Sequence, residues 1–147
     1  MLSRDFREFI ELLNANHVKY LVVDGYAVAC HGYPRYTKDL DVWIELSTDN
    51  AHKMITALEQ FGFGSLGLEA KDFLEKEQII QLGYPPNRID ILTTLKDLDF
   101  EDCYNSKIEV EMHGLQIDFI DVENLKKNKR ATGRLQDLAD AENLDLN

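Results

Sequence analysis

Two aspartates, Asp39 and Asp41, stand two residues apart at the entrance to an apolar run, Leu40-Asp41-Val42-Trp43-Ile44. In an extended chain residues i and i+2 point to one face, so both carboxylates project from the same side of a strand. Two anions so placed repel each other unless a cation lies between them, and oxygen-only donors suit Mg²⁺ or Mn²⁺. The other reading of the spacing is a pair of solvated acids at a strand edge. A third acid, Asp90, lies between Ile89 and Ile91, and alternation sets it on the face opposite those neighbours. On a strand beside Asp41 it would complete a cluster of three carboxylates. Such clusters hold two metals that clamp an in-line displacement at phosphorus. Asp90 could also take the proton of an attacking hydroxyl. Asp118, between Ile117 and Phe119, has the same surroundings, and the pattern alone does not separate the two.

Upstream of the pair, the apolar run Tyr20-Leu21-Val22-Val23 leads into Asp24-Gly25-Tyr26. A glycine just after a strand lets backbone amides approach phosphate oxygens. Arg35, Thr37 and Lys38 precede the acids, where a cation or hydroxyl could reach a triphosphate or simply lie on an exposed loop. Turn and carboxylates together suggest a site for a nucleoside triphosphate. His31 reads either as a general base or as a turn histidine, and His17, His52 and His113 lack zinc spacing. No Walker A, Gly-x-Gly-x-x-Gly or Gly-x-Ser-x-Gly motif occurs. Near the C-terminus Lys126, Lys127, Lys129, Arg130 and Arg134 form a basic cluster. These residues could fold over the acidic cleft, or form a solvated face with helical ion pairs such as Arg134 to Asp137.

The elements that must position these residues follow from periodicity and punctuation. Leu2, Phe6, Phe9, Ile10 and Leu13 recur at helical spacing, with Ser3 as N-cap and an end near Asn14–Asn16. Strands are predicted at residues 20–23, 40–46, 78–82, 88–92, 108–112 and 115–120. The last two form a hairpin through His113-Gly114, and residues 83–87 make the turn between the third and fourth. Short helices are predicted at 27–31, stopped by Gly32 and Pro34, and at 100–104. A longer one from Ser47 or Thr48 runs to Phe61, before Gly62 and Gly64. Residues 65–77 are ambiguous, with room for one more short helix. Two helices, 122–130 and 134–144, close the chain around Gly133. Alternating helices and strands followed by paired strands predict an α/β (α+β) protein with a mixed sheet.

The 147 residues fit one domain, 1–147, with enough chain for a core that needs no disulfide. Cys30 and Cys103 lack metal spacing, and Cys30 reads as a packing residue. A net charge of −11 excludes non-specific binding to phosphate backbones, so any nucleic-acid contact would be local or metal-mediated. No apolar run approaches the length of a membrane span, and no signal-peptide pattern follows Met1. A cytoplasmic protein with no membrane partner is expected.

The stretch from Leu21 to Ile44, with its His-Gly-x-Pro-Arg-x-Thr run and Asp-x-Asp, resembles the nucleotidyltransferase superfamily related to DNA polymerase β. Residues 88–92 and 120–140 extend the likeness, in particular to small bacterial abortive-infection and minimal nucleotidyltransferase proteins of toxin–antitoxin systems. The resemblance implies a nucleotidyltransferase fold: a mixed sheet flanked by helices, with C-terminal helices. It implies Mg²⁺- or Mn²⁺-dependent transfer of a nucleoside monophosphate from an NTP to a hydroxyl acceptor, with release of pyrophosphate. The acceptor would be an RNA end, a protein or a small molecule, and a cognate toxin or antitoxin would be a partner. It favours Asp90 over Asp118, making Asp39, Asp41 and Asp90 the catalytic, metal-binding acids. Gly25 and Tyr26, Arg35 and Thr37, and Lys129 would contact the nucleotide. One position departs: Asp24 stands where the family's turn opens with glycine. Its carboxylate would lie near the phosphates and repel them unless a metal screens it. The alternative is therefore a catalytically impaired binding module of the same fold acting through a partner protein. A metal-dependent glycosyltransferase, which also uses Asp-x-Asp, is a third reading, but those domains are usually much longer.

Overall fold

The computed structural model describes residues 2–32 and 39–146. The elements run α1 (Arg4–Ala15), β1 (Tyr20–Val23), α2 (Asp24–Cys30), β2 (Leu40–Ile44), α3 (Thr48–Phe61), β3 (Ile79–Leu82), β4 (Ile89–Leu92), α4 (Phe100–Asn105), β5 (Ile108–Met112), β6 (Leu115–Phe119), α5 (Val122–Thr132) and α6 (Leu135–Asp145). The six strands form one mixed sheet in the order β3-β4-β2-β1-β6-β5. The contacts β2·β4 and β1·β6 are parallel and the rest antiparallel.

Local chemistry explains most boundaries. Ser3, Ser47, Asp99 and Asp121 each accept a backbone N–H from the first turn of the following helix, satisfying one of its orphan donors. Gly62 and Gly133 end α3 and α5 in the left-handed conformation. The hairpin between β5 and β6 turns at His113 and Gly114, both at positive φ. The ambiguous stretch holds two 3₁₀ turns, Gly64–Leu66 and Ala70–Phe73, in place of one helix. The second helix begins three residues before its predicted start. Asp24 enters it straight from β1 with φ 61°, a left-handed backbone that asparagine and aspartate adopt more readily than most residues.

The central strands are buried: every residue of β1, and Leu40, Val42, Trp43 and Ile44 of β2. Phe6, Phe9, Ile10 and Leu13 of α1, with Ala51, Met54, Ala57 and Leu58 of α3, complete the core. Phe100 of α4 meets Trp43 edge on at 5.0 Å between ring centroids. Asn50, 2 % exposed, accepts the Lys19 N–H and donates to the Lys19 and Glu45 carbonyls, fastening α3 to the ends of β1 and β2. Cys30 is half-buried against the core and Cys103 buried, both as free thiols. No helix among the described residues is long and apolar enough to cross a membrane.

Candidate functional site

The sheet brings the acids together by register. In the parallel pair β2·β4, Asp41 lies opposite Asp90; in the antiparallel pair β1·β2, Asp41 lies opposite Val23. Directly paired residues project to the same face, so Asp41 and Asp90 are neighbours and Asp24 follows one residue past the strand partner of Asp41. Asp39 stands two residues before Asp41 and shares its side. Asp118 lies on β6, on the far side of β1, where its N–H donates to the Tyr20 hydroxyl and its carboxylate accepts from Gln116 at 3.4 Å. Strand order thus makes Asp90, and not Asp118, the partner of the pair.

A cation that the sequence reading missed lies among these acids. Arg88 Nη2 donates to Asp39 Oδ2 at 2.7 Å and to Asp90 Oδ2 at 3.1 Å. The signal was available: Arg88 and Asp90 are two apart on one strand and so share a face. Asp90 Oδ1 stays buried and accepts no hydrogen bond from the described residues. Among the described residues no cation forms an ion pair with Asp41. Burial pushes its carboxyl up to about 8, and the charges of Asp24, Asp90 and Asp39 add to the shift; Lys129 offsets only part of it.

A second cluster adjoins the first. Lys129, 2 % exposed, projects from α5 and its ammonium bonds Asp24 Oδ1, Asp137 Oδ1 (3.0 Å) and Asp140 Oδ2 (3.3 Å). Burial works to lower the lysine pKa, but Asp24 and Asp137 outweigh it, and the group stays charged well past neutrality. Burial likewise works to raise Asp137. The Thr132 hydroxyl at 2.6 Å, Lys129, and Arg134 Nε at 2.7 Å hold it below the usual carboxylate value. The carboxylates of Asp24, Asp137 and Asp140 offer oxygens within 4.8 Å of one another, a grouping that could hold a metal ion. Here the ammonium of Lys129 hydrogen-bonds Asp24 and Asp137 and ion-pairs with Asp140. Asp140 escaped the sequence reading, although Asp137 and Asp140 are i and i+3 on one helix face.

The remaining predicted residues are placed as follows. Gly25 is buried in the first turn of α2. Tyr26, next to it, packs its ring edge on against Phe6 at 5.9 Å. Arg35, Thr37 and Lys38 lie outside the described residues. His31 Nε2 donates to the Ile120 carbonyl at 2.7 Å, a contact across 89 residues that ties the end of α2 to the end of β6. Of the basic cluster only Lys129 points inward. Lys126 pairs with Glu123 and Asp145, and Arg130 with Asp145, on the outer side of the helices.

The donor set fits a divalent cation. Six carboxylates crowd one end of the sheet against Arg88 and Lys129, with Arg134 reaching in from the surface. An all-oxygen group in which the buried Asp90 Oδ1 accepts no hydrogen bond from the described residues, and in which burial and then neighbouring carboxylates drive the Asp41 carboxyl up, is short of positive charge. Mg²⁺ and Mn²⁺ are the ions whose preferences match those donors.

No family's sequence profile matches the chain, and no curated protein matches it. Among solved structures it is similar to a "putative nucleotidyltransferase" from Thermotoga maritima, with a TM-score of 0.62 and 19% identity over 97% of this chain and 89% of that one. At that identity the likeness speaks for the fold: the mixed six-stranded sheet with flanking and C-terminal helices is a nucleotidyltransferase-like architecture.

Proposed function

We propose that the chain is a divalent-metal-dependent nucleotidyltransferase that moves a nucleoside monophosphate from an NTP to a hydroxyl acceptor. The observation that carries this reading is the register of Asp41 with Asp90 on neighbouring parallel strands, with Asp39 beside them and the nucleotidyltransferase-like fold around them. Asp39, Asp41 and Asp90 would hold Mg²⁺ or Mn²⁺. When bound, the metal would neutralise the phosphate oxygens and the charge that develops in transfer.

The chain's own residues do the rest. In the reaction the acceptor oxygen forms a bond to the α-phosphorus, the bond to the bridging oxygen breaks, and pyrophosphate leaves with that electron pair. Asp90 Oδ1, buried and without a described donor, is the oxygen assigned to take the acceptor's proton. Arg88 holds the other oxygen of Asp90 and one of Asp39, fixing both carboxylates against rotation. Gly25, Tyr26, Arg35 and Thr37 are assigned to the nucleotide, and the acceptor to an RNA end, a protein or a small molecule.

One observation favours the impaired, partner-binding version of this fold in a toxin–antitoxin or defence setting: Asp24 and Lys129 bind each other where phosphate should be received. The two readings separate in one experiment. With Mg²⁺ and each of the four NTPs, pyrophosphate release is expected from wild type and lost in Asp39→Ala and Asp41→Ala. Wild type that neither binds an NTP with Mg²⁺ nor releases pyrophosphate with any acceptor removes the enzyme reading.

A further inference from the structure

An ammonium has three N–H donors and no acceptor, and Lys129 directs its ammonium at three carboxylates. It hydrogen-bonds Asp24 and Asp137 and ion-pairs with Asp140, so this cation, 2 % exposed, is walled in by carboxylates and a phosphate reaches it only by displacing one. Its partners are not equivalent. The side chains of Asp137 and Asp140 are 6% and 2% exposed, whereas that of Asp24 is 38% exposed. Asp137 is further tied to Thr132 and Arg134, and Asp140 accepts from Gln136 at 2.9 Å. Asp24 is the partner that solvent reaches most, and it opens α2 rather than lying inside α6. It also lies one residue past the strand partner of Asp41, beside the carboxylates assigned to the triphosphate's metal.

We infer that Asp24 sets the site's affinity for the triphosphate by occupying the one bond of Lys129 that a phosphate can take. An incoming phosphate oxygen replaces the Asp24 carboxylate on the ammonium, and the carboxylate turns out to water. Asp137 and Asp140 keep Lys129 charged and aimed throughout. This rests on the nucleotide reading above and adds to it the residue that tunes binding. Asp24 and Lys129 act as one exchange pair, so the effect of Asp24 runs through Lys129 and not through charge repulsion alone.

The test uses Asp24→Asn, which removes the charge while tolerating the left-handed backbone at this position. Affinity for an α,β-methylene analogue of ATP with Mg²⁺ is measured by calorimetry in wild type, Asp24→Asn and Asp41→Asn. The side-chain ¹⁵N resonance of Lys129 is followed in lysine-labelled wild type and Asp24→Asn. The expected result is roughly tenfold tighter binding by Asp24→Asn, about the worth of one charge-assisted hydrogen bond. The Lys129 resonance should shift when the analogue binds. Unchanged affinity overturns the proposal. So does tighter binding with an unmoved Lys129 resonance, which would leave repulsion as the whole effect. Wild-type binding that Asp41→Asn abolishes preserves the nucleotide reading in either case; binding by no form overturns both.

Discussion

Replacing Asp41 with asparagine should make the metal-free protein more stable at pH 8 and do much less at pH 5. The folded protein holds the Asp41 carboxyl at about 8 against an ordinary 3.8, chiefly through burial and then through Asp24, Asp90 and Asp39. The sign follows from proton counting. Between those values the folded chain keeps a proton that the unfolded chain releases, so stability is present at low pH and is lost as pH rises toward 8. Over the three pH units from 5 to 8, at about 1.36 kcal/mol each, the ceiling is about 4 kcal/mol. Partial solvent access and rearrangement of the acids reduce this to about 2 kcal/mol, or roughly 4–8 °C in Tm for a domain of this size. Urea unfolding of wild type and Asp41→Asn in chelator, at both pH values, isolates the residue because other titrating groups are common to both proteins. The gap between the two should widen by about 2 kcal/mol from pH 5 to pH 8. A gap equal at the two pH values refutes the assignment of strain to Asp41. Mg²⁺ should stabilise wild type more at pH 8 than at pH 5, because it binds the ionised form.

Two further outcomes test the frame around the site. Lys129→Met should cost about 3–5 kcal/mol in chemical denaturation, because it removes the buried cation that Asp137 and Asp140 share. Asn50→Ala should cost about 2–3 kcal/mol by urea unfolding at constant m-value, since it removes three hydrogen bonds and takes the acceptor from the Lys19 N–H.

Much of the fold was legible because its signals are local. Short apolar runs marked the central strands, serine marked the starts of α1 and α3, Gly62 the end of α3, and His113-Gly114 the hairpin. The face shared by Asp39 and Asp41 followed from spacing alone. The choice between Asp90 and Asp118 did not, because both sit between apolar residues on strands. Only the order β4-β2-β1-β6 separates them, and pairing between distant strands leaves no mark on either segment. The partner of Asp24 was hidden for the same reason. A lysine 105 residues away neutralises a carboxylate for which local reasoning could supply only repulsion or a metal. Arg88 and Asp140 were within reach, each being one strand step or one helical turn from an acid already singled out.

The bond between Asp24 and Lys129 also orders events in time. A contact across 105 residues forms only after the chain between its ends has been made and arranged. On the ribosome, α1, β1, β2 and β4 can pair while α5 and α6 are still unsynthesised, and Asp24 then faces water. The end of the sheet beside Asp24 is finished last, when Asp137 and Asp140 emerge to hold Lys129. A nascent chain stalled before Asp137 would carry Asp39, Asp41, Asp90 and Arg88 and yet lack the α6 carboxylates that hold Lys129 in place.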